Sequence, residues 1–414
     1  MLDIKFIREN SDLVKEAVRR KNVKADIDRL LAIDEKRRAS IQEIDELRSR
    51  HKKSSEKLMT LMGEERENFS ARLKEEKQHL SHKEYDLRAI ESEFEELMLE
   101  IPNIPDPSVP DGGSDKENQE IRSWGEPQKL SELGGRDYAQ ILKDGDMADL
   151  ERGVKVSGFR GYFLKNDGAR LSFALWQFTL DFLSKKGFVS FIAPSIVRKE
   201  NMLGTGWFPQ SQEDVYKTQD DTYLSGTAEV AMMGYHRDEI LSQEELPKKY
   251  AAFSPCFRRE AGSYGKDQKG IFRVHEFYKI EQIILCEASH QKSVDFHEEL
   301  TANSEEIMKL LRIPYRVVIN CTGDLGLGQV KKYDIEGWVP SENKYRETHS
   351  SSYFHDFQTR RLGIKYKDSE GKIKFAHSLN NTAIATPRIL EAFLENNQKP
   401  DGSIDIPEVL RKYL

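Results

Sequence analysis

Apolar residues near position 100 recur at spacings of four and three. Phe69, Leu73, Leu80, Leu87, Ile90, Phe94, Leu97 and Ile101 mark the seam, with Glu76 and Lys83 as polar interruptions. Such a repeat belongs to a helix whose a and d positions face a partner helix. Leu30, Ile41, Ile44, Leu58 and Met62 carry a weaker repeat of the same kind. Residues 1–101 hold one glycine, Gly63, and neither proline nor tryptophan. The pattern therefore predicts nearly continuous helix that reverses at Gly63. At about 1.5 Å per residue, each arm of about 35 residues reaches about 50 Å. A long antiparallel helical hairpin is expected over 1–101.

The pattern then breaks. Pro102, Pro105, Pro107, Pro110, Gly112, Gly113 and Pro127 exclude a regular helix, so 102–127 is predicted to be a linker. Within 128–414, an amphipathic helix is expected over 169–186, with Leu171, Leu175, Phe178 and Phe182 on one face and Gly187 as its stop. FVSFIAPSIV is strand-like until Pro194, and strands are expected at 251–260, 271–285, 315–321, 333–339 and 350–358, with few helices between. That order predicts an α+β body, an antiparallel β-sheet flanked by helices, and not a doubly wound parallel sheet.

Charge narrows the function. The 414 residues carry 64 Lys+Arg against 71 Asp+Glu, a formal net charge of −7. A protein that coats nucleic acid or anionic membrane through its overall charge is excluded, and any such contact must be local. No stretch approaches the roughly 18 apolar residues of a membrane span, and MLDIKFIREN lacks the apolar run of a signal peptide. Cys256, Cys286 and Cys321 are odd in number and far apart, which offers neither a disulfide framework nor metal-ligand spacing. The chain is expected to be soluble and cytoplasmic, with no membrane partner, no DNA partner and no tightly bound zinc. Local basic clusters do occur. Arg48, Arg50, Lys52, Lys53 and Lys57 oppose only Glu56, and Lys15, Arg19, Arg20, Lys21 and Lys24 form a second group. A basic surface on a mildly acidic protein points to phosphate-backbone contact. A solvated coiled coil used as a spacer or for dimerisation is the other reading of the same helices.

Familiar nucleotide loops are absent. There is no GxxxxGK[ST] and no GxSxG, and GDLGLG (Gly323, Gly326, Gly328) is read as an ordinary turn. The richest stretch is CFRREAGSYGKDQKGIFRVHEFYKIE, 256–281. Alternation along a strand puts Arg258 and Glu260 on one face with Arg259 opposite. After the loop AGSYGKDQKG, a second strand puts Arg273, His275, Phe277, Lys279 and Glu281 together. Two readings stay open: a solvated, salt-bridged sheet face, or a site for an anionic ligand with a planar ring. In the second, arginine takes phosphates, phenylalanine stacks, and glutamate takes an amine or metal. ETHSSS, 347–352, adds a carboxylate and hydroxyls before the expected strand YFHDF. HSLNNTAIATPRILEAFLENNQ is strand-like to Ala385, with Pro387 at a natural helix start and Arg388 in the first turn.

These motifs resemble those of the seryl-tRNA synthetases, a family of class II aminoacyl-tRNA synthetases, and the resemblance spans essentially the whole chain. GFVSFIAPSIV is similar to motif 1, CFRREAG and GIFRVHEFYKIE to motif 2, and LNNTAIATPRILEAFLENNQ to motif 3. GTAEVA, YDIEGWVP and YRETHSSSYFHDFQTRR match stretches between them, and the hairpin resembles the family's tRNA-binding arm. The resemblance implies activation of L-serine by ATP and transfer to the 3′ end of tRNA(Ser), with tRNA(Sec) a second acceptor. It implies ATP contacts from Arg258, Arg259, Glu260, Arg273, Val274, Phe277, Glu347, Thr348, His349, Ser350 and Arg388, with Arg258, Arg388 and Glu347 catalytic. Phe277 would stack on adenine with Arg388 on its other face, and Glu347 and Ser350 would hold Mg²⁺ through the ATP. Thr227, Ala228, Glu229, Glu281 and Thr382 would bind serine, and Arg48, Arg50, Lys52 and Lys53 would bind tRNA. A homodimer with motif 1 at its interface is implied as well. Motif 3 departs from the family in Ala385-Thr386-Pro387 and in Thr382, where many relatives have serine, and LSG precedes TAE; each change keeps hydrogen-bonding or turn capacity. A tRNA-binding regulatory relative, or a ligase that charges a carrier protein, are the competing readings of the same residues.

Overall fold

Four helices account for nearly all of the first hundred residues. The computed structural model describes residues 1–261 and 270–414, and they divide into two units: residues 3–19 with 23–102, and residues 1–2, 20–22 and 103–414. Most of the loop AGSYGKDQKG, residues 262–269, lies outside the described residues.

In the first unit, α1 (Ile4–Glu9) and α2 (Ser11–Arg20) precede the hairpin, so the start of the chain is two short helices and not a continuation of a long one. Asp3 caps α1 by accepting from Lys5 N at 2.8 Å. The hairpin is α3 (Ile27–Leu58) and α4 (Gly63–Glu100). Gly63 has φ +56°, the left-handed conformation glycine adopts without steric cost. Phe69, Leu73, Leu80, Leu87, Ile90 and Phe94 are all half-buried, as the 4-3 seam predicts. Lys83, read as an interruption, pairs across the hairpin with Glu43 at 3.0 Å, and Arg29 pairs with Glu93 at 2.6 Å. Such exposed pairs contribute little, so the apolar seam holds the two helices together.

The second unit is built on an eight-stranded sheet of β1 (Gln119–Trp124), β2 (Val189–Ile192), β3 (Lys248–Phe257), β4 (Glu276–Cys286), β5 (Tyr315–Ile319), β6 (Lys331–Val339), β7 (Lys344–His355) and β8 (His377–Thr386). Their spatial order is β1-β5-β6-β7-β8-β4-β3-β2. Every pairing is antiparallel except β2 with β3. Two expectations change here. The stretch 102–127 is not only a linker, because β1 lies inside it and pairs with β5. ETHSSS does not precede a strand; it is part of β7.

Among the helices of this unit are α5 (Asn166–Lys185), α6 (Lys199–Thr205), α7 (Ala228–Tyr235), α8 (His290–Leu310), α9 (Phe357–Leu362) and α10 (Arg388–Asn396). Alternation along β4 divides the sheet's two faces. Ile280 and Ile284 enter the main core with Leu175 of α5, Leu300 and Ile307 of α8, and Ile389 and Phe393 of α10. Phe277, Lys279 and Glu281 turn the other way and line a cavity. The 21-residue α8 falls where few helices were expected. Its buried positions include His297, Thr301, Asn303, Ser304 and Glu305 among the apolar ones, which blurs the helical hydrophobic period.

Glu395 shows how α10 is tied down. It is fully buried, and its carboxylate accepts from Tyr138 N at 2.8 Å, Ser341 N at 2.8 Å and Ser341 Oγ at 2.7 Å. Glu395→Ala strands these donors and is expected to destabilise the protein by about 3 kcal/mol. Denaturant unfolding measures it, and a loss below about 0.5 kcal/mol would contradict this account.

Candidate active site

Two arginines from distant parts of the chain meet in one cavity of about 290 Å³. Arg258 lies just beyond the end of β3, where its backbone N donates to His275 O at 2.9 Å. Its guanidinium lies over the Phe277 ring at 5.3 Å and the Trp207 ring at 5.7 Å. Nη2 donates to Gly226 O at 3.3 Å. Nε is buried with no hydrogen-bond partner among the described residues. A side chain at position 226 would press on Arg258 at 3.1 Å, so glycine there leaves the guanidinium its place. Arg388, at the start of α10, stands over the Phe272 ring at 4.5 Å and donates to Phe272 O and Glu347 O, both at 3.3 Å. Arg346 covers the same ring at 3.7 Å. Phe277 therefore meets Arg258, and the ring beneath Arg388 is Phe272, which the sequence reading did not single out.

Arg273 extends the cationic wall, donating to Glu260 Oε2 at 2.6 Å. Glu260 has φ +56°, a left-handed conformation costly for a side-chain-bearing residue. Glu347 stands half-exposed, 3.8 Å from Arg388. Desolvation raises its carboxyl, but Arg388, Lys332, Arg258 and Arg273 outweigh it and hold the group below its ordinary value. Burial lowers Arg388, and Glu347 acts against that.

Local irregularities bring the remaining groups inward. In a regular strand, residues three apart point to opposite faces. The register of β7 against β6 shifts between His349 and Glu347, and this bulge lets Glu347 and Ser350 both line the cavity. A second shift, between β4 and β8, does the same for Thr382 and Ala385. At that end of the cavity Glu281 is buried beside Lys279, and Thr382 Oγ1 donates to Glu281 Oε2 at 3.5 Å. Thr227 caps α7, its Oγ1 accepting from Glu229 N at 3.3 Å. Burial raises Glu229 to about 7.

Most of the expected residues thus share one cavity: Arg258, Glu260, Arg273, Val274, Phe277, Glu347, Thr348, Ser350 and Arg388, with Thr227, Glu229, Glu281 and Thr382. Four do not line it. Arg259 is exposed, and its backbone N donates to Asp214 O. Ala228 is buried in α7 among Met232 and Met233. His349 is buried against Ala383 O at 3.1 Å, and desolvation lowers it to about 4. His275, grouped with Arg273 by alternation, lies outside because β4 begins only at Glu276.

Other groups were missed. Gly326 to Gly328, part of the run read as an ordinary turn, form a wall of the cavity with the following Gln329. Behind them Lys21, counted above as surface charge, is buried and donates to the carbonyls of Gly326, Leu327 and Gln329 at 3.1, 3.0 and 2.6 Å. No local spacing signals such a long-range contact. In the helical hairpin, Arg48, Arg50, Lys52 and Lys53 are exposed. Arg48 is engaged by Glu84 at 2.7 Å.

A mostly antiparallel sheet on which a strand-end arginine and a helix-start arginine converge has the fold of the class II aminoacyl-tRNA synthetases, and the comparisons agree. Residues 213–397 match the tRNA synthetase class II core domain (G, H, P, S and T), and residues 1–105 match the seryl-tRNA synthetase N-terminal domain. A serine–tRNA ligase of Deinococcus radiodurans is 45% identical over 100% of this chain and 97% of its own length. One from Caldicellulosiruptor saccharolyticus is 42% identical over 100% and 99%. The crystal structure of seryl-tRNA synthetase from Pyrococcus horikoshii complexed with ATP superposes with a TM-score of 0.90 at 39% identity, covering 100% of this chain and 98% of that one. The protein belongs to the seryl-tRNA synthetase family. It is a ligase that activates serine with ATP and charges tRNA with it.

Phe272 generates a prediction of its own. Phe272→Ala removes the ring between Arg346 and Arg388, a cation–π contribution of about 1–2 kcal/mol. The KM for ATP should rise about tenfold with the serine KM little changed, measured by serine-dependent ATP–pyrophosphate exchange.

Proposed function

We propose that Arg258, Arg273 and Arg388 hold the triphosphate of ATP, while Thr227, Glu229, Glu281 and Thr382 grip the serine. The observation that carries this reading is the convergence of Arg258, Arg273 and Arg388 on one cavity that Glu229 and Glu281 also line. A planar guanidinium suits the α-phosphate, where it can donate two parallel hydrogen bonds. The serine carboxylate attacks the α-phosphorus in line and pyrophosphate leaves; the terminal ribose hydroxyl of tRNA then attacks the carbonyl carbon of the adenylate, forming the ester as AMP and a proton leave. No side chain acts as nucleophile. Catalysis rests on positioning and on cations fixed beforehand where charge builds up. Carboxylates at the other end suit serine's ammonium and hydroxyl, because a small polar substrate is selected by paired hydrogen bonds.

The cavity fits Mg²⁺ carried in by ATP. Glu347 and Ser350 offer two oxygen donors on one face, and the neighbouring cations favour the ionised carboxylate, a hard ligand for a hard ion. When bound, the ion neutralises phosphate charge. The four basic residues of the hairpin contact tRNA phosphates, tRNA(Ser) being the acceptor. Phe173 (65% exposed), Ile192 (85%) and the neighbouring Val189 and Ile196 leave apolar surface uncovered along the motif 1 region, which supports a homodimer. A cytoplasmic setting agrees with three free, buried cysteines and with no helix long and apolar enough to cross a membrane among the described residues.

Arg258→Ala should lower serine-dependent ATP–pyrophosphate exchange about a thousandfold with the melting temperature unchanged. Near-normal exchange in that variant would remove the assignment. For the dimer, Ile192→Asp should shift the protein to monomers in sedimentation at micromolar concentration, whereas an unchanged distribution would place the interface elsewhere.

A further inference from the structure

One buried amide next to the amino-acid end has no place in the scheme above. Gln358 lies in α9 and is 1% exposed. Its Nε2 donates to Glu229 Oε1 at 2.6 Å and to Thr205 O at 3.3 Å. Its Oε1 accepts from Ser378 Oγ at 2.7 Å. The Thr205 carbonyl can only accept, so the nitrogen must face it, and the Ser378 hydroxyl supplies the proton that the oxygen receives. The amide thus has one orientation. It joins the end of α6, the start of α7 and strand β8, and both Thr205 and Glu229 line the cavity.

We propose that Gln358 is a positioning residue for serine: its amide holds the Glu229 carboxylate in the one orientation that can grip an ammonium group. The proposal rests on the reading of Glu229 as a serine ligand. A carboxylate in a buried site needs donors to remain charged. The groups that face Glu229 are Gln358 from α9, Asn380 from β8, and Glu281 and Lys279 from β4. Burial is the largest influence and raises the carboxyl; Glu281 acts in the same direction, while the two amides and Lys279 oppose it. A donor to the ionised form lowers a carboxyl's pKa, so removing Gln358 raises it further. Serine's ammonium is attracted by the ionised form only. Hence kcat/KM for serine should fall as pH drops through the Glu229 pKa, and without Gln358 that fall should begin at a higher pH.

The test uses full-length Gln358→Met, Ser378→Ala and Glu229→Gln proteins in serine-dependent ATP–pyrophosphate exchange across neutral pH. Losing a hydrogen bond to a charged group is worth roughly ten- to a hundredfold. Gln358→Met should raise the serine KM by that factor at neutral pH, leave the ATP KM within about twofold, and move the acid limb of kcat/KM upward. Ser378→Ala keeps the amide but frees its oxygen, so it should move the limb in the same direction by less, and it serves if Gln358→Met does not fold. Equal rises in the KM for serine and ATP, or an acid limb that stays in place in both variants, would overturn the proposal. Glu229→Gln separates the two claims. If it erases the limb while Gln358→Met leaves it unmoved, the positioning role fails and Glu229 stands. If Glu229→Gln keeps both the limb and the serine KM, the reading of Glu229 fails and the role of Gln358 goes with it.

Discussion

Three guanidinium groups face one cavity, and the body is arranged around keeping them there. Cations that close together repel one another and resist desolvation. Aromatic rings solve part of the problem. Phe272 lies under Arg346 and Arg388, and Phe277 under Arg258, so the rings attract the cations without consuming their hydrogen-bond donors. Backbone carbonyls hold the guanidinium edges at longer range, at Gly226, Phe272 and Glu347. A carboxylate at every arginine would have been more comfortable in the free protein and would have left less attraction for phosphate. Carboxylates do stand by some of them: Glu260 on Arg273, Glu347 beside Arg388 and Glu342 on Arg346.

The sheet supplies the rigidity this needs. Neighbouring strands β7, β8, β4 and β3 carry the site, and their other face is packed against helices in the main core. A displaced bond register in two of these pairings sets which side chains enter the cavity. Without the shift in β7, Glu347 and Ser350 would point to opposite faces, and without the one between β4 and β8, Thr382 and Ala385 would. Such bulges are positional devices.

How legible was this in the sequence? The hairpin was, because its period is local and repeated: Gly63 and the half-buried 4-3 seam stand where the spacing puts them. The strands of the sheet were also visible in outline. Where reading failed, the determinant was remote or irregular. Strand β1 lies in a proline- and glycine-rich stretch and exists only because β5 is there to pair with it. The polar buried face of α8 obscured its period. Alternation correctly grouped Arg258 with Glu260, and Phe277 with Lys279 and Glu281, but carried His275 along although the strand had not yet begun. It also gave no hint of Phe272, of the Gly326–Gln329 wall, or of Lys21 behind that wall. Arg259, Ala228 and His349 were named by motif position, and motif position does not say which side of the backbone faces a ligand.

Strand β1 has a consequence for how the chain is made. It comes early, yet Gln119 pairs with Ile319 and Trp124 with Tyr315, so most of the sheet must be synthesised before this edge has a neighbour. Helices α3 and α4, by contrast, find their counterpart within the first hundred residues. Loop closure over long separations is slow, and local contacts form early. On the ribosome the arm is therefore complete while the strand that follows it in the chain waits, unpaired and exposed. Its composition suits the wait: QEIRSW alternates charged or polar residues with only Ile121 and Trp124 as large apolar ones, a poor template for another nascent chain to adhere to.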